Sequence, residues 1–434
     1  MFLAKIRERQ LMPEIQKRRE FYESKLSPIE RQALQLAKFN REWQVIKNTV
    51  PYYQSLAKSH NLPEVFHSWE EIMSSFPVVN RSTLKQYREL MCSRSKAPEW
   101  WRITGGSTAQ PVQLPAWQSE LVHTSPNTWL GRSWFGVAPS DRVFMLWGHS
   151  HLLGIGLKGQ WNGYVRRMKD WLLGYHRFSV YNLNERNMQE AGLALLHFHP
   201  QYVIGYSVAL DLFARVNRNL APDFQRLGLK VVVGAAECFP RDDSRPLLEE
   251  VFGAPVAMEY GSVETDLIAH ATPQGGYDVF WGTYFCEALE TGVTGGKIIR
   301  VTSLYPRCFP LIRYEIGDEI EPAAGEEGLG VARLQTVKGR CHDTVTLADG
   351  TILHSEAFSH AVRPCPEISY YQVVDDKGTS SLNYMAPEPI SDGQMLLIRQ
   401  RLSKIHPSLT NIEIKRVNKL EQSIAGKTKM VVRK

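Results

Sequence analysis

"KVVVGAAECFPRDDSRPLLEEVFGAPVAMEYG", Lys230–Gly261, is the stretch on which the fold turns. A β-branched run, "KVVVGA", gives way to the helically periodic "RPLLEEVFG" and then to a second apolar run, "PVAMEYG". Strand, helix and strand in that order imply a right-handed crossover, so the two strands lie parallel. Upstream, "RVFMLW" (Arg142–Trp147) and "QYVIGY" (Gln201–Tyr206) have the same character, and the helical "VALDLFARVNRNL" follows the latter. From Gln201 onward such runs begin roughly 25 to 30 residues apart, the spacing of a parallel sheet covered by helices on both faces. Ligands of such sheets bind beyond the carboxyl ends of the strands. There this chain places carboxylates: Glu237 after "KVVVGA" and Glu264, in "SVETD", after "PVAMEYG".

Working outward, "KIIRVTSLYPRCFPLIRYEIGDEIEP" (Lys297–Pro322) reads as strand, turn and strand, with Asp318 beside Gly317 at a tight turn. Beyond Gly339 the composition shifts to a hairpin, strands and two helices, enough for a small α+β domain of about 95 residues. The first hundred residues read as mainly helical. Ser27, Pro28 and Glu30 form a capping-box start before "IERQALQLAKFNREWQVI", whose apolar residues recur at helical spacing. The expected class is therefore α/β. A large N-terminal α/β domain with a mostly parallel sheet spans 1–338, and a small α+β C-terminal domain spans 339–434.

The 434 residues exceed one core and suggest two or three domains. With 51 Lys and Arg against 45 Asp and Glu, the net charge of +6 is mild and dispersed. It is compatible with an anionic small ligand and argues against nucleic acid. The first residues, "MFLAKIRERQLMPEIQKRRE", are charged nearly throughout and lack the apolar core of a signal peptide, and no later run reaches the length of a membrane span. Six scattered cysteines without a CxxC pair read as reduced thiols, which makes a cytoplasmic setting the expectation. His149 with His151 and His197 with His199 are H-x-H pairs with no partner pair nearby, so they read as core or pocket histidines and not as zinc ligands.

"TGGSTAQP", Thr104–Pro111, concentrates glycine and hydroxyl residues before a proline. Glycine is entropically costly to order, so the cluster reads either as a surface turn or as backbone that a phosphate approaches closely. No G-x-x-x-x-G-K-[ST] occurs, which excludes a P-loop NTPase. Near the C-terminus, "SIAGKTKMVVRK" carries its lysines just past a glycine, as a turn or a basic tail.

Taken in order, "TGGSTAQP", "VVGAAE", "EYGSVETD", "RYEIGD" with "GRCHD", and "AGKTK" resemble the motifs of adenylate-forming enzymes. The branch is that of phenylacetate–CoA ligases and capsular-polysaccharide ligase-like proteins, and the resemblance runs from about Trp101 to the C-terminus. It implies a large α/β domain with a mobile lid, and activation of a small-molecule carboxylic acid by ATP as an acyl-adenylate. An acyl acceptor then takes the acyl group. ATP, Mg²⁺ and CoA are the implied cofactors, with neither nucleic acid nor membrane as a partner; oligomeric state does not follow.

By resemblance, Thr104, Gly106, Ser107 and Thr108 hold the ATP phosphates, and Gly234, Ala235, Ala236 and Glu237 lie against adenine. Tyr260 and Gly261 flank the nucleotide, Glu264 holds Mg²⁺, and Asp318 accepts the ribose hydroxyls. Arg340 reaches ribose or phosphate, and Lys427 bonds the carboxylate and α-phosphate oxygens. Trp147, His149 and His151, with Gly261 and Ser262 opposite, occupy the place of an acyl pocket suited to a flat or aromatic acid; Trp147 as plain core is the competing reading. Ala109 and Gln110 depart from the family's usual Gly and polar or basic residue. At the hinge, His342 replaces the first acidic residue while Asp343 keeps the second. Three functions stay open: an acid–CoA ligase, an adenylating ligase that passes its acyl group to an amine, sugar or other small nucleophile, and a non-catalytic nucleotide-binding relative.

Overall fold

Helix α1 (Phe2–Tyr22) gives way to α2 (Pro28–Thr49) at Ser27, whose side chain accepts the Glu30 N–H at 3.3 Å while Glu30 Oε2 accepts the Ser27 N–H at 2.8 Å. The capping box read from the sequence is formed, with Pro28 in the first turn. These bonds from Ser27 hold the Glu30 carboxyl below the usual carboxylate range. Ser27→Ala is expected to lower stability by about 1 kcal/mol and Ser27→Asn by much less. Urea unfolding midpoints measure both, and equal midpoints for all three proteins would show that the cap is idle.

The structure is a computed structural model describing residues 2–24, 26–103, 113–147, 156–180, 185–236, 238–290, 296–326, 328–340, 344–347, 352–354, 358, 361–362, 365, 367–368, 370–376, 379–421 and 431–433. After α2 come α3 (Pro51–Ser59), α4 (Trp69–Ser75) and α5 (Arg81–Gln86), then an antiparallel pair, β1 (Trp100–Ile103) and β2 (Gln113–Ala116). Helix α6 (Leu121–Ser133) leads into alternating strands and helices: β3 (Val143–Leu146), α7 (Gly156–Leu173), β4 (Tyr175–Phe178), α8 (Glu185–Phe198), β5 (Tyr202–Tyr206) and α9 (Ser207–Val216). They are followed by α10 (Ala221–Arg226), β6 (Val232–Ala235), α11 (Ser244–Phe252) and β7 (Val256–Ser262). Six further strands follow: β8 (Asp266–Ala271), β9 (Tyr277–Val279), β10 (Tyr284–Glu290), β11 (Lys297–Ser303), β12 (Tyr314–Pro322) and β13 (Arg333–Arg340).

Among the described residues these strands make one eleven-stranded sheet, β10-β11-β12-β13-β9-β8-β7-β6-β5-β3-β4. From β4 through β7 every pairing is parallel, and these include the four runs read as strands from the sequence. From β7 to β10 every pairing is antiparallel, so the expected mostly parallel character holds for one half only. The reason is connection length: short turns such as the one joining β7 to β8 allow only a hairpin, whereas a parallel return needs a crossover.

Helices α2 to α5 cap the antiparallel half, whereas α1 lies against the parallel half through Ile15. Phe39, Trp43 and Ile46 of α2 pack with Tyr53, Trp69, Ile72, Phe285 and Tyr314 in one buried cluster, with the Trp69 and Phe285 rings stacked 3.4 Å apart. Within that face Gln35 is fully buried, and its Nε2 donates to the carbonyls of Trp281 at 2.8 Å and Tyr284 at 3.2 Å.

Among the described residues a separate four-stranded sheet follows β13, with the order Glu413–Arg416, Thr379–Met385, Tyr370–Asp376 and Val431–Arg433. The helix Asp392–Ile405 packs on it through Ile398 and Leu402, which share a core with Val373, Leu382 and Ile412. A small C-terminal α+β body with its own core is thus present, preceded by the hairpin of Thr344–Thr346 and Ile352–His354. No helix among the described residues is long and apolar enough to cross a membrane.

Candidate active site

Strands β6 and β7 run side by side, with Gly234 opposite Met258 and Ala235 opposite Glu259. A Cβ on Gly234 would collide with Met258 Sδ and crowd the Phe239 ring and Ser207 Oγ, so this glycine serves close packing between strand and helix. Ala236 then leaves the strand with φ +74°, a left-handed value that alanine adopts only under constraint. One turn of chain is thereby bent away at the carboxyl edge of the parallel sheet, the edge at which sheets of this kind bind ligands.

Tyr260 ends the buried part of β7, and its hydroxyl donates to Asp318 Oδ2 at 3.1 Å. Burial and the facing carboxylate push the Tyr260 phenol well above its ordinary range, so it remains a donor. Asp318 was expected at a tight turn. It lies instead inside β12, because the register against β11 slips between Ile298 and Arg300 and Gly317 takes φ +85°. The bulge re-aims the strand at this point, as bulges beside functional sites do. Across the other edge of β12, Asp318 is the register partner of Arg340, the last residue of β13.

Glu264 sits in the turn between β7 and β8 and is only 6% exposed. Tyr314, four residues before Asp318, donates its hydroxyl to Glu264 Oε1 at 3.2 Å. The carbonyl of Glu264 accepts from Arg307, and that of Thr265 from the Tyr284 hydroxyl. The turn carrying the carboxylate is therefore held from three sides. Gly261 is dictated by the same hairpin, since a Cβ there would strike the Asp266 carbonyl. Ser262 is engaged within the turn, its hydroxyl 3.0 Å from that of Thr265. Trp147 is half-buried at the end of β3, its ring 4.4 Å from that of Tyr206, and it packs against the core of α8, α9 and α11. In the sheet, β5 and β6 separate it from Gly261 and Ser262 on β7.

Thr104, Gly106, Ser107, Thr108, Ala109, Gln110, His149, His151, Glu237, His342, Asp343 and Lys427 lie outside the described residues. The root of "TGGSTAQP" is described, and it contains a group that the sequence reading missed. Arg102 of β1 donates to Glu120 Oε2 at 3.0 Å and to Asp266 Oδ1. Glu120 also accepts the backbone N–H groups of Trp117 and Cys308, each at 2.9 Å, and lies 3.8 Å from Arg307 Nε. Two buried guanidinium groups and a buried carboxylate thus tie the strand entering the Gly/Ser/Thr stretch to the turn that carries Glu264. Nothing local in the sequence announces this, because the four members come from four separate segments.

His197 and His199 were expected in a core or pocket. They are exposed at the end of α8, where His199 has φ +49°, because the helix stops there and turns towards solvent. No group of three or more His, Cys, Asp or Glu among the described residues is placed to hold a metal by itself. Just past the carboxyl ends of β5 and β6, the C-terminal body meets the start of α9 and the loop before α11. The Tyr370 hydroxyl donates to the Val208 carbonyl at 3.1 Å, and Arg241 bonds the carbonyl of Ile368. A cleft of ≈ 510 Å³ opens beside that contact, lined by Glu185, Arg215, Arg241 and Glu367, none of which was expected in the site.

No family model matches the chain. Protein CapK of Staphylococcus aureus is 20% identical over 412 residues, covering 92% of this chain and 88% of CapK. Among solved structures, 2-hydroxyisobutyryl-CoA ligase in the postadenylation state with 2-HIB-AMP superposes with a TM-score of 0.69 at 17% identity, covering 94% of this chain and 90% of the ligase. In its thioesterification state, with 2-HIB-AMP and CoA, the same ligase gives 0.59 at 17% identity over the same shares. The chain therefore shares the fold of this acyl-CoA ligase.

Proposed function

We propose that the chain activates a small carboxylic acid with ATP as its acyl-adenylate and passes the acyl group to CoA. The observation that carries this is the convergence at one sheet edge of a fixed, buried Glu264 and a bulge-mounted Asp318 paired in backbone register with Arg340. In this reading Asp318 accepts the two ribose hydroxyls, while Gly234, Ala235, Ala236 and Glu237 border adenine. Thr104, Gly106, Ser107 and Thr108 surround the phosphates. Residues 1–338 form the nucleotide- and acid-binding domain and 339–434 the lid, with His342 and Asp343 at the hinge. Lys427 and Arg340 supply positive charge where the carboxylate meets the α-phosphate. Trp147, His149, His151, Gly261 and Ser262 line the acid's place.

Glu264 fits Mg²⁺. Its hard carboxylate has one oxygen steadied by Tyr314, and Mg²⁺ takes one or two protein carboxylates and completes its shell with phosphate oxygens and water. Bound there, the ion would neutralise phosphate charge. The residues' own work is to hold the nucleotide in line with the incoming carboxylate oxygen, so that pyrophosphate leaves opposite to it.

Two states of 2-hydroxyisobutyryl-CoA ligase superpose on the chain with TM-scores of 0.69 and 0.59 at equal identity and coverage, which supports a mobile C-terminal body. ATP-dependent pyrophosphate release with a panel of aryl and aliphatic acids, repeated with and without CoA, tests the reading. Acid-dependent release with thioester formation is expected. Release with transfer to an amine or a sugar, and none to CoA, would replace the acceptor; ATP binding without release would leave a nucleotide-binding protein. Glu264→Gln is expected to raise the Mg²⁺ concentration for half-maximal release at least tenfold while leaving metal-free ATP binding within a factor of two. An unshifted Mg²⁺ curve removes Glu264 from the metal.

A further inference from the structure

Cys92 and Cys308 are 216 positions apart in the chain, yet their sulfurs lie 3.6 Å from each other. Cys92 follows the N-terminal helices and is half-buried, and Cys308 is fully buried in the connection between β11 and β12. The backbones are locked together beside them, with the Ser93 N–H donating to the Cys308 carbonyl at 2.8 Å. Among the other described cysteines, Cys238 is exposed, Cys286 and Cys365 are buried, and no second pair of sulfurs is in contact.

The hydrogen bond from Cys308 holds the Cys92 thiol below its ordinary range, while the same contact and burial push Cys308 up. Cys92 is therefore the sulfur that ionises and can be reached, and Cys308 is the one that waits behind it. That is the division of labour between an attacking and a resolving thiol.

We propose that Cys92 and Cys308 form a thiol-oxidation site that takes a low-molecular-weight disulfide and closes reversibly to an intrachain disulfide. The Cys92 thiolate attacks one sulfur of the small disulfide, forming a mixed disulfide and releasing one small thiolate. Cys308 loses its proton and attacks the Cys92 sulfur, and the second small thiolate leaves. Two protein thiols are oxidised, the small disulfide is reduced to two thiols, and the two protons end on those thiols.

Closing the bond brings the sulfurs from 3.6 Å to about 2.0 Å. Cys308 has two ties to the site: its N–H donates to Glu120, and its neighbour Arg307 bonds the Glu264 carbonyl. Drawing Cys308 towards Cys92 therefore strains the support of Glu264. This consequence rests on the proposed adenylation, whereas the closure itself does not.

The test treats reduced full-length protein with oxidised glutathione, blocks the remaining thiols and maps peptides by mass. A Cys92–Cys308 cross-linked peptide, reversed by dithiothreitol and absent in Cys92→Ser and Cys308→Ser, is expected. Cys308→Ala should slow alkylation of Cys92 at pH 7 by about tenfold, because the thiolate loses its donor. Glutathione remaining on Cys92 without closure, or modification confined to Cys238, would overturn the site. Pyrophosphate release should fall at least threefold in the oxidised protein and return on reduction. A cross-link with an unchanged rate overturns the coupling, and an inactive reduced protein counts against adenylation and not against the thiol pair.

Discussion

Asp318→Ala is expected to weaken ATP binding by two orders of magnitude or more. A charged hydrogen bond contributes about 1.5 to 3 kcal/mol, and in the role proposed for it the Asp318 carboxylate accepts both ribose hydroxyls and so supplies two of them. Each 1.4 kcal/mol is tenfold in the dissociation constant, so the lower bound alone is roughly a hundredfold. The geometry makes the comparison clean. Tyr260 already donates to Asp318 Oδ2 at 3.1 Å, and Tyr260→Phe should therefore change ATP affinity far less than loss of the carboxylate. The bulge at Gly317 belongs to the backbone and should survive the substitution. Calorimetric titration with ATP and with 2′,3′-dideoxy-ATP separates ribose contact from general damage. In the parent protein the dideoxy nucleotide should bind about as weakly as ATP binds the variant, and in the variant the two nucleotides should bind alike. An ATP dissociation constant within threefold of the parent's would leave "RYEIGD" as a bulged strand without a nucleotide role.

The parallel half of the sheet was legible because strands covered on both faces are almost continuously apolar. Tyr202–Tyr206 and Val232–Ala235 are buried throughout and stand out against their polar flanks. Edge strand β4, "YHRF", escaped notice for the converse reason: all four residues are only partly buried, so no apolar run marks it. Gly317 was read as a turn because glycine at positive φ suits turns and bulges equally, and only the pairing with β11 tells them apart. Glu264 could be picked out as a carboxylate just past a strand end, and Asp318 as one beside a glycine. Their supports could not: Tyr314 reaches Glu264 from 50 positions away and Arg102 reaches Asp266 from 164. Periodicity records which face of an element is buried, and carries nothing about which polar groups from distant segments will meet beneath it.

Arg313 shows how much of the site's rigidity comes from such a meeting, and replacing it should produce the largest loss of stability. The residue sits one position before β12 with φ +52°, a strained value for a long side chain. It is compensated by a buried fork: Nε lies 3.1 Å from Glu287 Oε1, and Nη2 lies 3.1 Å from Glu287 Oε2. Nη1 donates to the carbonyls of Phe76, at 2.8 Å, and Met73, where α4 ends. One guanidinium therefore joins β10, the start of β12 and the N-terminal helices, and Val79 adds a parallel bridge to Tyr314 beside it. Arg313→Met strands the Glu287 carboxylate, which is 1% exposed, in a protein interior. Breaking a buried pair from one side costs about 3 to 5 kcal/mol, a large part of the roughly 5 to 15 kcal/mol that holds a domain folded. Because the cost comes from the uncompensated charge, Arg313→Met with Glu287→Met should recover part of it, which simple loss of packing would not allow. Urea midpoints of the parent, the two single variants and the double variant decide the matter. If the double variant is no more stable than Arg313→Met alone, the backbone at Arg313 and the bonds to α4, and not the ion pair, hold β12 in place.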